Sequence, residues 1–433
     1  MPKSKYEKSL SAMFKLRRFG IKLGLDAINA VLADLGHPQN HYRIIHIAGT
    51  NGKGSVAAML STIFHEAGYR VGRYTSPHLE RFNERICINN APISDPAVVS
   101  AYKRVCATPR VGRELTFFEF TTAMALHVFS QEAVEWAVIE TGMGGRLDAT
   151  NAVSPVLTLI TNISVEHKAY LGNTLDAIAG EKAGIIKDGI PLVTGVVQPS
   201  ARKVVLERAK QLDAPVYLKG RDFRCRRQED DKFSYYSIKN VWRHLGLGLK
   251  GAHQIENAAL VLAACETLTG MGMADLSEKE IRNGLEGTRW PGRLEIVSKR
   301  PLVILDGAHN LMAARKLSQY IKARFEQKKI TLVIGVLDDK ACEPILKDLI
   351  APCHRIVITQ PVIDRAVPAG KLANIAKKFA SDVEIIPDVG AAVKQTLKKS
   401  NDDDVICVAG SLYVVGEAKT ALRSLGVTGT AEY

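Results

Sequence analysis

Short apolar runs alternate with helical patterns along most of this chain. The first run, residues 42–48, passes through a glycine-rich turn into apolar positions at helical spacing over residues 55–67. Strands that alternate with helices through short links are typical of a parallel sheet with helices on both faces. The N-terminal part of the chain therefore predicts a P-loop-type, doubly wound α/β domain. Its further strands are predicted at residues 71–75, 134–140, 156–161 and 191–195.

The pattern changes over residues 216–250, where short alternating runs predict antiparallel strands appended to the sheet. The strand and helix alternation resumes from residue 302, after Trp290-Pro291-Gly292-Arg293 has interrupted it. This last part lacks the glycine fingerprint of a dinucleotide site. We predict a smaller C-terminal Rossmann-like α/β domain, and hence two domains, 1–296 and 297–433.

The composition is that of an ordinary globular protein, with 433 residues, 46% hydrophobic and 24% charged. No apolar run approaches the roughly 20 residues that span a bilayer, and the basic N-terminus lacks the apolar core of a signal peptide. The seven cysteines form no CxxC pair, which favours reduced thiols over zinc ligands or disulfides. These features predict a cytoplasmic protein.

The formal net charge of +13 has two interpretations. It could be a solvated surface rich in lysine, or it could attract anions such as a nucleotide or a polycarboxylate substrate. Nucleic acid is less favoured, because no ladder of aromatic and basic residues and no known binding module occurs. We therefore expect small-molecule substrates, with neither nucleic acid nor membrane as a partner.

The turn after the first strand has the sequence GTNGKGS, residues 49–55. Glycines in such a turn let backbone N–H groups approach phosphate, a lysine supplies positive charge, and a serine reaches a metal ion. Gly54 stands between Lys53 and Ser55, which departs from the usual P-loop spacing. The strand before the turn and the helix after it still predict a site for a nucleoside triphosphate.

Polar side chains follow the next strands as well. Ser76, Glu140 and His167 each come after a predicted strand, and ligands of open α/β sheets collect at the carboxyl ends of the strands. Together with the phosphate loop they predict a magnesium-nucleotide site. Taken singly, Glu140 could be a solvated carboxylate and His167 a structural histidine.

Lys182 is flanked by Ala183, Gly184 and Ile185, so it could lie in an apolar pocket, although a surface position is the ordinary expectation. Burial would favour its neutral amine, which can take up carbon dioxide as a carbamate and help to hold a metal. In the second domain, Asp306 and His309 follow a strand, where they could bind a ligand or merely cap the next helix.

The chain also contains eight short motifs, and the resemblance that they carry extends from about residue 10 to about residue 425. With them the chain resembles the folylpolyglutamate synthase/dihydrofolate synthase family of the Mur ligase superfamily. The resemblance implies that ATP phosphorylates a carboxylate of dihydropteroate or a reduced folate, and that the amino group of L-glutamate attacks the acyl phosphate. Both ligations are expected, by a monomer. The motifs are GTNGKGS (49–55), TSPHL (75–79), ETGMGGRLDATN (140–151), EKAGIIK (181–187), HQIEN (253–257), PGR (291–293), DGAHN (306–310) and GSLY (410–413).

The resemblance also implies roles for single residues. Those implied to bind ATP are Asn51, Gly52, Lys53, Gly54, Ser55, Asn257, Arg293 and Asp306, with Arg289 as a second candidate beside Arg293. Those implied to hold magnesium, two ions being expected, are Ser55, Ser76, Glu140, His167 and carbamylated Lys182. Those implied in catalysis are Lys53, His167, Lys182 and His309. Those implied to bind the substrates are Arg81, Arg85, Thr116, Phe117, Phe118, Asp148, His309 and Ser411.

One position departs from the family pattern, because Glu166 stands where many members have aspartate before the histidine. Its role is left open. Another Mur-type amide ligase that acts on a different acid is the nearest alternative function. Gly54 and the RFNER segment at 81–85 argue against a cell-wall ligase. A nucleotide switch or a P-loop kinase would not need the second domain with its DGAHN and GSLY motifs.

Overall fold

The structure, a computed structural model, describes residues 3–20, 22, 24–109, 112–166, 168–229 and 231–427, without the side chains of Arg18, Lys168 and Ala169. The described chain forms two compact α/β units, as the sequence predicts. The first runs up to His78 and takes in Phe82–Gly248 and Gln254–Arg289. The second takes in Leu79–Arg81, Leu249–His253 and the chain from Trp290 onward.

The first unit is built on an eight-stranded sheet with the order β4-β3-β2-β5-β1-β6-β7-β8. Strands β2, β5, β1, β6, β7 and β8 run parallel, in that spatial order, and β3 and β4 form an antiparallel edge. Strand β1 is buried along almost its whole length, as is usual for a parallel sheet with both faces covered. The strands are β1 (Arg43–Ala48), β2 (Val71–Tyr74), β3 (Ile86–Ile88), β4 (Ala91–Pro92), β5 (Trp136–Glu140), β6 (Leu157–Ile160), β7 (Leu192–Thr194) and β8 (Val216–Leu218).

Apolar helix faces cover both sides of this sheet in separate clusters. The helices are α1 (Lys5–Lys15), α2 (Asp26–Asp34), α3 (Lys53–Glu66), α4 (Asp95–Cys106), α5 (Phe117–Gln131), α6 (Lys168–Leu171), α7 (Leu175–Ala183), α8 (Pro199–Gln211), α9 (Ala252–Gly270) and α10 (Glu278–Gly287). Short 3₁₀ helices lie at Leu16–Phe19, Pro38–Asn40, Phe82–Arg85 and Ala149–Ala152. Among the described residues, no helix is both long and apolar enough to cross a bilayer.

The antiparallel strands predicted over 216–250 are present, but they do not extend the large sheet. Residues 216–218 form its parallel edge strand β8, while β9 (Phe223–Arg227), β10 (Phe233–Ser237) and β11 (Val241–Leu245) form a sheet of their own. The carboxylate of Glu266 on α9 accepts hydrogen bonds from the Tyr235 and Ser237 hydroxyls. This small sheet is therefore fastened to α9 and not to the edge of the large sheet.

The second unit contains a six-stranded sheet with the order β12-β13-β17-β14-β15-β16, parallel except for β12. Its strands are β12 (Glu295–Lys299), β13 (Leu302–Leu305), β14 (Ile330–Ile334), β15 (Arg355–Ile358), β16 (Val383–Ile385) and β17 (Val405–Ala409). Its helices are α11 (Leu311–Phe325), α12 (Cys342–Ile350), α13 (Ala369–Ala376), α14 (Val389–Lys399) and α15 (Leu412–Ser424). Two apolar clusters cover the two faces, which gives a second doubly wound layer structure.

A short segment of the N-terminal chain belongs to this second unit. The Glu80 carboxylate accepts hydrogen bonds from the Thr420 hydroxyl at 3.0 Å and from Arg423 Nη2 at 2.8 Å. A methyl group on Gly416 would overlap the Leu79 carbonyl, so α15 needs glycine at this position. Residues 79–81 are thus held on α15, which chain order alone did not predict.

The buried His46 in β1 is expected to make the first unit less stable at acid pH. Its ring is fully buried, Nε2 lies 2.9 Å from the Thr150 hydroxyl, and burial lowers its pKa from 6.5 to about 3. Between these two pH values the unfolded chain binds a proton that the folded chain does not, so stability falls as the pH drops below 6.5. Between pH 7 and pH 5, we expect the free energy of unfolding of the His46→Asn variant to fall by about 2 kcal/mol less than that of wild type. Urea unfolding at both pH values measures this, and equal losses in the two proteins would contradict it.

Candidate functional site

The predicted phosphate loop joins β1 to α3 in the first unit. Gly52 is the N-cap of α3 with φ of 88°, a conformation that favours glycine, so the helix begins at Lys53 and not at Ser55. Lys53 Nζ donates to the carbonyls of Gly49 at 3.0 Å and Thr50 at 3.3 Å. The loop and its lysine therefore lie together at the carboxyl end of the sheet's central strand.

Lys182 reaches the same loop from α7. Its side chain is 1% exposed, and Nζ donates to the Gly49 carbonyl at 2.9 Å and pairs with Glu166 Oε1 at 3.1 Å. Two lysines, Lys53 and Lys182, thus converge on one carbonyl oxygen. Burial lowers the pKa of Lys182 from 10.5 to about 8, against the raising effect of Glu166. Lys182 is thus buried, whereas the ordinary expectation for a lysine is a surface position.

Glu140, at the end of β5, faces the same point. Its Oε1 lies 3.8 Å from Lys53 Nζ, and its Oε2 accepts a hydrogen bond from the Ser76 backbone N–H at 3.4 Å. The carboxylate and the buried Ser55 hydroxyl are hard oxygen donors of the kind that Mg²⁺ takes when it also binds nucleotide phosphates. The described residues contain no group of three or more His, Cys, Asp and Glu side chains close enough to hold a metal. This set fits a phosphate-bound Mg²⁺ better than a site made of protein ligands alone; His167 lies outside the described residues.

Thr161 and Asn162, which directly follow β6, hold the phosphate loop in place. They were not singled out from the sequence. The carbonyl of Asn51 accepts hydrogen bonds from the Thr161 hydroxyl at 2.7 Å and from Asn162 Nδ2 at 2.9 Å. The Asn51 N–H in turn donates to Asn162 Oδ1 at 3.1 Å. Strand β6 lies beside β1 in the sheet, so a polar pair at its carboxyl end was the signal that could have identified them.

Asn257 lies against the loop from α9. Its Nδ2 donates to Gln254 Oε1 at 2.9 Å, and a methyl group on Gly52 would overlap its Oδ1 atom. The structure thus brings Asn257 to the phosphate loop, while its contact with ATP stays a prediction. Arg289, the second candidate beside Arg293, donates from Nη1 to the carbonyl of Glu286 at 2.7 Å in the same unit.

The predicted substrate wall combines aromatic rings and guanidinium groups. Arg85 is buried, and its Cζ lies 5.2 Å from the centre of the Phe117 ring. Its Nε donates to His78 Nδ1 at 2.8 Å, so this nitrogen accepts and the imidazole is neutral. Burial, together with the nearby arginines, lowers the pKa of His78 to about 3. Arg81 belongs to the second unit, whereas Arg85 belongs to the first.

Two other predicted substrate residues have clear structural partners. Thr116 is the N-cap of α5, where its hydroxyl accepts from the Glu119 N–H in a capping box, a motif visible in the sequence Thr-x-x-Glu. The buried Asp148 carboxylate accepts from the Met143 N–H at 2.8 Å and the Thr150 N–H at 3.0 Å, and burial raises its pKa. The contact of both residues with substrate stays a prediction.

Gly142, two residues after Glu140, receives the ring of Phe118, and a methyl group there would overlap that ring. We expect the Gly142→Ala variant to displace Phe118, at a packing cost of about 1–3 kcal/mol, and to raise KM for the acid substrate that the resemblance implies about tenfold, with KM for the nucleotide nearly unchanged. Steady-state kinetics on both substrates checks this. Gly180→Ala is the matched control, because Gly180 has open space around its Cα. Equal effects of the two variants would contradict the expectation.

In the second unit, the loop after β13 brings three predicted residues together. The buried Asp306 carboxylate accepts from the Leu294 N–H at 2.8 Å and the Ala308 N–H at 2.9 Å; burial raises its pKa and Arg293 opposes that shift. A methyl group on Gly307 would overlap the Arg293 guanidinium. His309 Nδ1 lies 2.8 Å from the Gly307 carbonyl. Asp306 does not cap the next helix.

Helices α11 and α15 of the second unit are capped by residues other than Asp306 and His309. Asn310, and not His309, is the N-cap of α11, where its side chain accepts from the Ala313 N–H. Ser411 caps α15, where its buried hydroxyl accepts from the Val414 N–H at 3.1 Å. The loops after β13 and β17 are neighbours at the carboxyl edge of this sheet. Asp306, His309 and Ser411 therefore share one edge of the unit.

Both units match domains of known ligases. Residues 47–265 match the Mur ligase middle domain, and residues 292–412 match the glutamate ligase domain of Mur ligases. The chain is 37% identical to the dihydrofolate synthase/folylpolyglutamate synthase of Bacillus subtilis, over 96% of this chain and 99% of that protein. The similarity thus extends over nearly the full length of both proteins.

Solved structures agree with the sequence matches. FolC of E. coli in complex with DHPP and ADP is similar with a TM-score of 0.89 and 29% identity, over 96% of this chain and 98% of that one. The bifunctional folylpolyglutamate synthase/dihydrofolate synthase of Yersinia pestis, complexed with AMPPNP and Mn, has a TM-score of 0.87 and 31% identity, over 98% and 100%. The relatives therefore include structures with nucleotide, metal and a substrate-like ligand.

Proposed function

The chain belongs to the folylpolyglutamate synthase/dihydrofolate synthase family of Mur ligases, ATP-dependent enzymes that ligate glutamate, and we propose that it carries out both reactions in that name. Dihydropteroate and a reduced folate are its proposed acid substrates, and L-glutamate supplies the amino group. The observation that carries the proposal is the convergence of Lys53 and Lys182 on the Gly49 carbonyl beside Glu140. This arrangement places the Lys53 cation and the Lys182 amine beside the loop where the phosphates of ATP would lie.

The proposed reaction has two steps. A carboxylate oxygen of the acid attacks the γ-phosphorus of ATP, which breaks the bond to the β-phosphate oxygen and releases ADP. The glutamate amine then attacks the acyl carbon, loses a proton and expels phosphate. Lys53 and the loop N–H groups would orient the phosphates, which is how phosphoryl transfer is mainly catalysed. Asn257, Arg293 and Asp306 are the proposed further ATP contacts.

Divalent metal is the second proposed cofactor, as two Mg²⁺ ions. Ser55, Ser76 and Glu140 would hold it, with His167 as a proposed ligand. When bound, Mg²⁺ would neutralise the charge on the transferred phosphoryl group. The Glu140 carboxylate and the Ser55 hydroxyl support this assignment, because both are oxygen donors of the kind that Mg²⁺ takes when it also binds nucleotide phosphates.

Carbamylation of Lys182 is a further part of the proposal. Its low pKa of about 8 raises the fraction of neutral amine. That amine would add to carbon dioxide and lose a proton, which turns a cation into a carboxylate beside the phosphate loop. Glu166 now pairs with Lys182, so the modified side chain would have to leave that partner.

The second unit supplies the proposed glutamate site. His309 and Ser411, the proposed glutamate contacts, belong to this unit, and the residues 292–412 match a glutamate ligase domain. The pteridine would bind the wall of Arg85, Phe117 and Phe118, with Asp148 behind it. We also propose that the enzyme is a cytoplasmic monomer.

A side-by-side assay tests the choice of acid. Purified protein with ATP, Mg²⁺ and L-glutamate is expected to release ADP when either dihydropteroate or a reduced folate monoglutamate is added. Omission of glutamate should abolish most of the release. Turnover with a UDP-muramoyl acid and none with either pteridine would refute the proposal in favour of another Mur-type ligase.

A further inference from the structure

Three buried side chains of the first unit form one hydrogen-bonded chain that ends at a proposed substrate residue. Nε2 of His46, in β1, lies 2.9 Å from the Thr150 hydroxyl, and that hydroxyl donates to Asp148 Oδ1 at 2.5 Å. His46 and Thr150 are fully buried, and Asp148 is 6% exposed. Hydrogen bonds thus connect the central strand of the sheet to the Asp148 carboxylate.

The direction of these hydrogen bonds follows from the donors. The Thr150 hydroxyl has a single hydrogen atom, which it donates to Asp148, so it accepts from His46. Nε2 therefore carries the proton of the neutral imidazole, and Nδ1 is an acceptor. Nδ1 is buried without a hydrogen-bond partner among the residues that the structure describes. Such an acceptor costs stability, which an apolar residue in β1 would avoid, so stability does not explain this histidine.

The turn at Asp148 does not need the hydroxyl or the imidazole. Asp148 is the N-cap of the 3₁₀ helix Ala149–Ala152, and its Oδ1 accepts from the Thr150 N–H at 3.0 Å. A bond from an aspartate to the backbone two residues later is enough to form such a turn. The Thr150 hydroxyl brings a second donor to the same oxygen. We infer that this added bond fixes the orientation of the carboxylate, whereas the N–H bond fixes the backbone.

The other carboxylate oxygen lies towards the proposed pteridine wall. Asp148 Oδ2 accepts from the Met143 N–H at 2.8 Å, and Met143 follows Gly142, against which the Phe118 ring lies. Burial raises the pKa of Asp148, and hydrogen bonds from Thr150, Met143 and Gly142 oppose that rise. A pteridine has amino and ring N–H groups, which a carboxylate can accept as hydrogen-bond donors. The orientation of this carboxylate therefore bears on how the ring is held.

We propose that Thr150 and His46 are positioning residues that orient the Asp148 carboxylate for hydrogen bonding to the pteridine of the acid substrate. The inference rests on the proposed function, because it assigns roles within the same site. Thr150 fixes Oδ1, while Oδ2 keeps a lone pair for a donor of the pteridine. His46 fixes the Thr150 hydroxyl so that its hydrogen points at Asp148. Both side chains are fully buried and act only through Asp148.

The test replaces the Thr150 hydroxyl by a methyl group. Because both proposed acids contain the ring, we expect Thr150→Val to raise KM for dihydropteroate and for a reduced folate monoglutamate about tenfold each. Binding remote from the reacting atoms is lost, so kcat and KM for ATP should change less than about threefold. Thr150→Ser keeps the hydroxyl and should restore both KM values. Thr158→Val is the matched control, because it removes a buried hydroxyl that donates to the Pro191 carbonyl at 3.1 Å, and it should leave every KM unchanged.

A double-mutant cycle tests whether His46 acts through Thr150. His46→Leu is expected to raise KM for both acids about threefold, and His46→Leu combined with Thr150→Val should raise it no further than Thr150→Val alone. Additive effects of the two substitutions would overturn the role of His46. KM does not depend on the folded fraction, so a destabilised variant still gives an answer.

Calorimetric titration with dihydropteroate measures binding of the acid without turnover. The dissociation constant should rise about tenfold in Thr150→Val and return towards the wild-type value in Thr150→Ser. Wild-type affinity of Thr150→Val for the acid, or an equal loss in Thr158→Val, would overturn the positioning role while leaving the ligase function intact. Wild-type protein that neither binds nor ligates either acid would instead refute the proposed function and this inference with it.

Discussion

Lys182→Ala is expected to lower glutamate-dependent ADP release by a factor on the order of 10²–10³, the loss typical of one preorganised charged group. Lys182 is fully buried, donates to the Gly49 carbonyl and pairs with Glu166. Its removal takes away the amine that would be carbamylated beside the phosphate loop. Steady-state turnover with dihydropteroate measures the loss.

Two controls separate chemistry from folding in the Lys182→Ala variant. Breaking a buried ion pair costs about 3–5 kcal/mol of stability, so turnover must be referred to the folded fraction measured by urea unfolding. Lys203→Ala, at an exposed position on α8, should retain wild-type turnover. A short added carboxylate is expected to restore part of the activity, because it can occupy the place of a carbamate. Near-normal turnover of Lys182→Ala would refute both the catalytic role and the modification.

His309→Ala is expected to lower turnover at least about 100-fold while the affinity for ATP stays within about twofold. His309 belongs to the second unit, where its Nδ1 lies 2.8 Å from the Gly307 carbonyl and Asn310 has taken over the capping of α11. We propose that His309 contacts the glutamate, whereas Lys53 and the phosphate loop belong to the first unit. Nucleotide titration and steady-state kinetics measure the two quantities.

The control for this variant is His65→Ala, at an exposed position on α3. It should change neither nucleotide affinity nor turnover. A parallel loss of ATP affinity and turnover in His309→Ala would mean that His309 contributes to the nucleotide site. The assignment of the second unit to glutamate would then lose its main support.

Sequence reasoning was strongest where the chain is locally determined. The run of apolar residues in β1 and the glycines after it are contiguous, so the phosphate loop and the start of α3 were predicted almost to the residue. The capping box at Thr116 and Glu119 is likewise a local signal. Local patterns suffice here because the glycines and caps act on their own backbone.

What the sequence left open depends on contacts between distant parts of the chain. Burial of Lys182 depends on how α7 packs beside β1, and its pairing with Glu166 depends on that same packing. Asn162 clamps the phosphate loop only because β6 is placed next to β1. The sequence thus predicted that the site residues follow the ends of strands. It did not predict the hydrogen bonds and ion pairs that join these residues to one another.

The central claim is that ATP activates the carboxylate of the acid as an acyl phosphate before glutamate attacks. Dihydropteroate labelled with ¹⁸O in its carboxylate tests this directly, with mass analysis of the phosphate after turnover. The oxygen that joins the carboxyl carbon to phosphorus leaves with phosphorus, so we expect one ¹⁸O atom in each phosphate released. Phosphate without ¹⁸O, formed together with the glutamate adduct, would contradict the account.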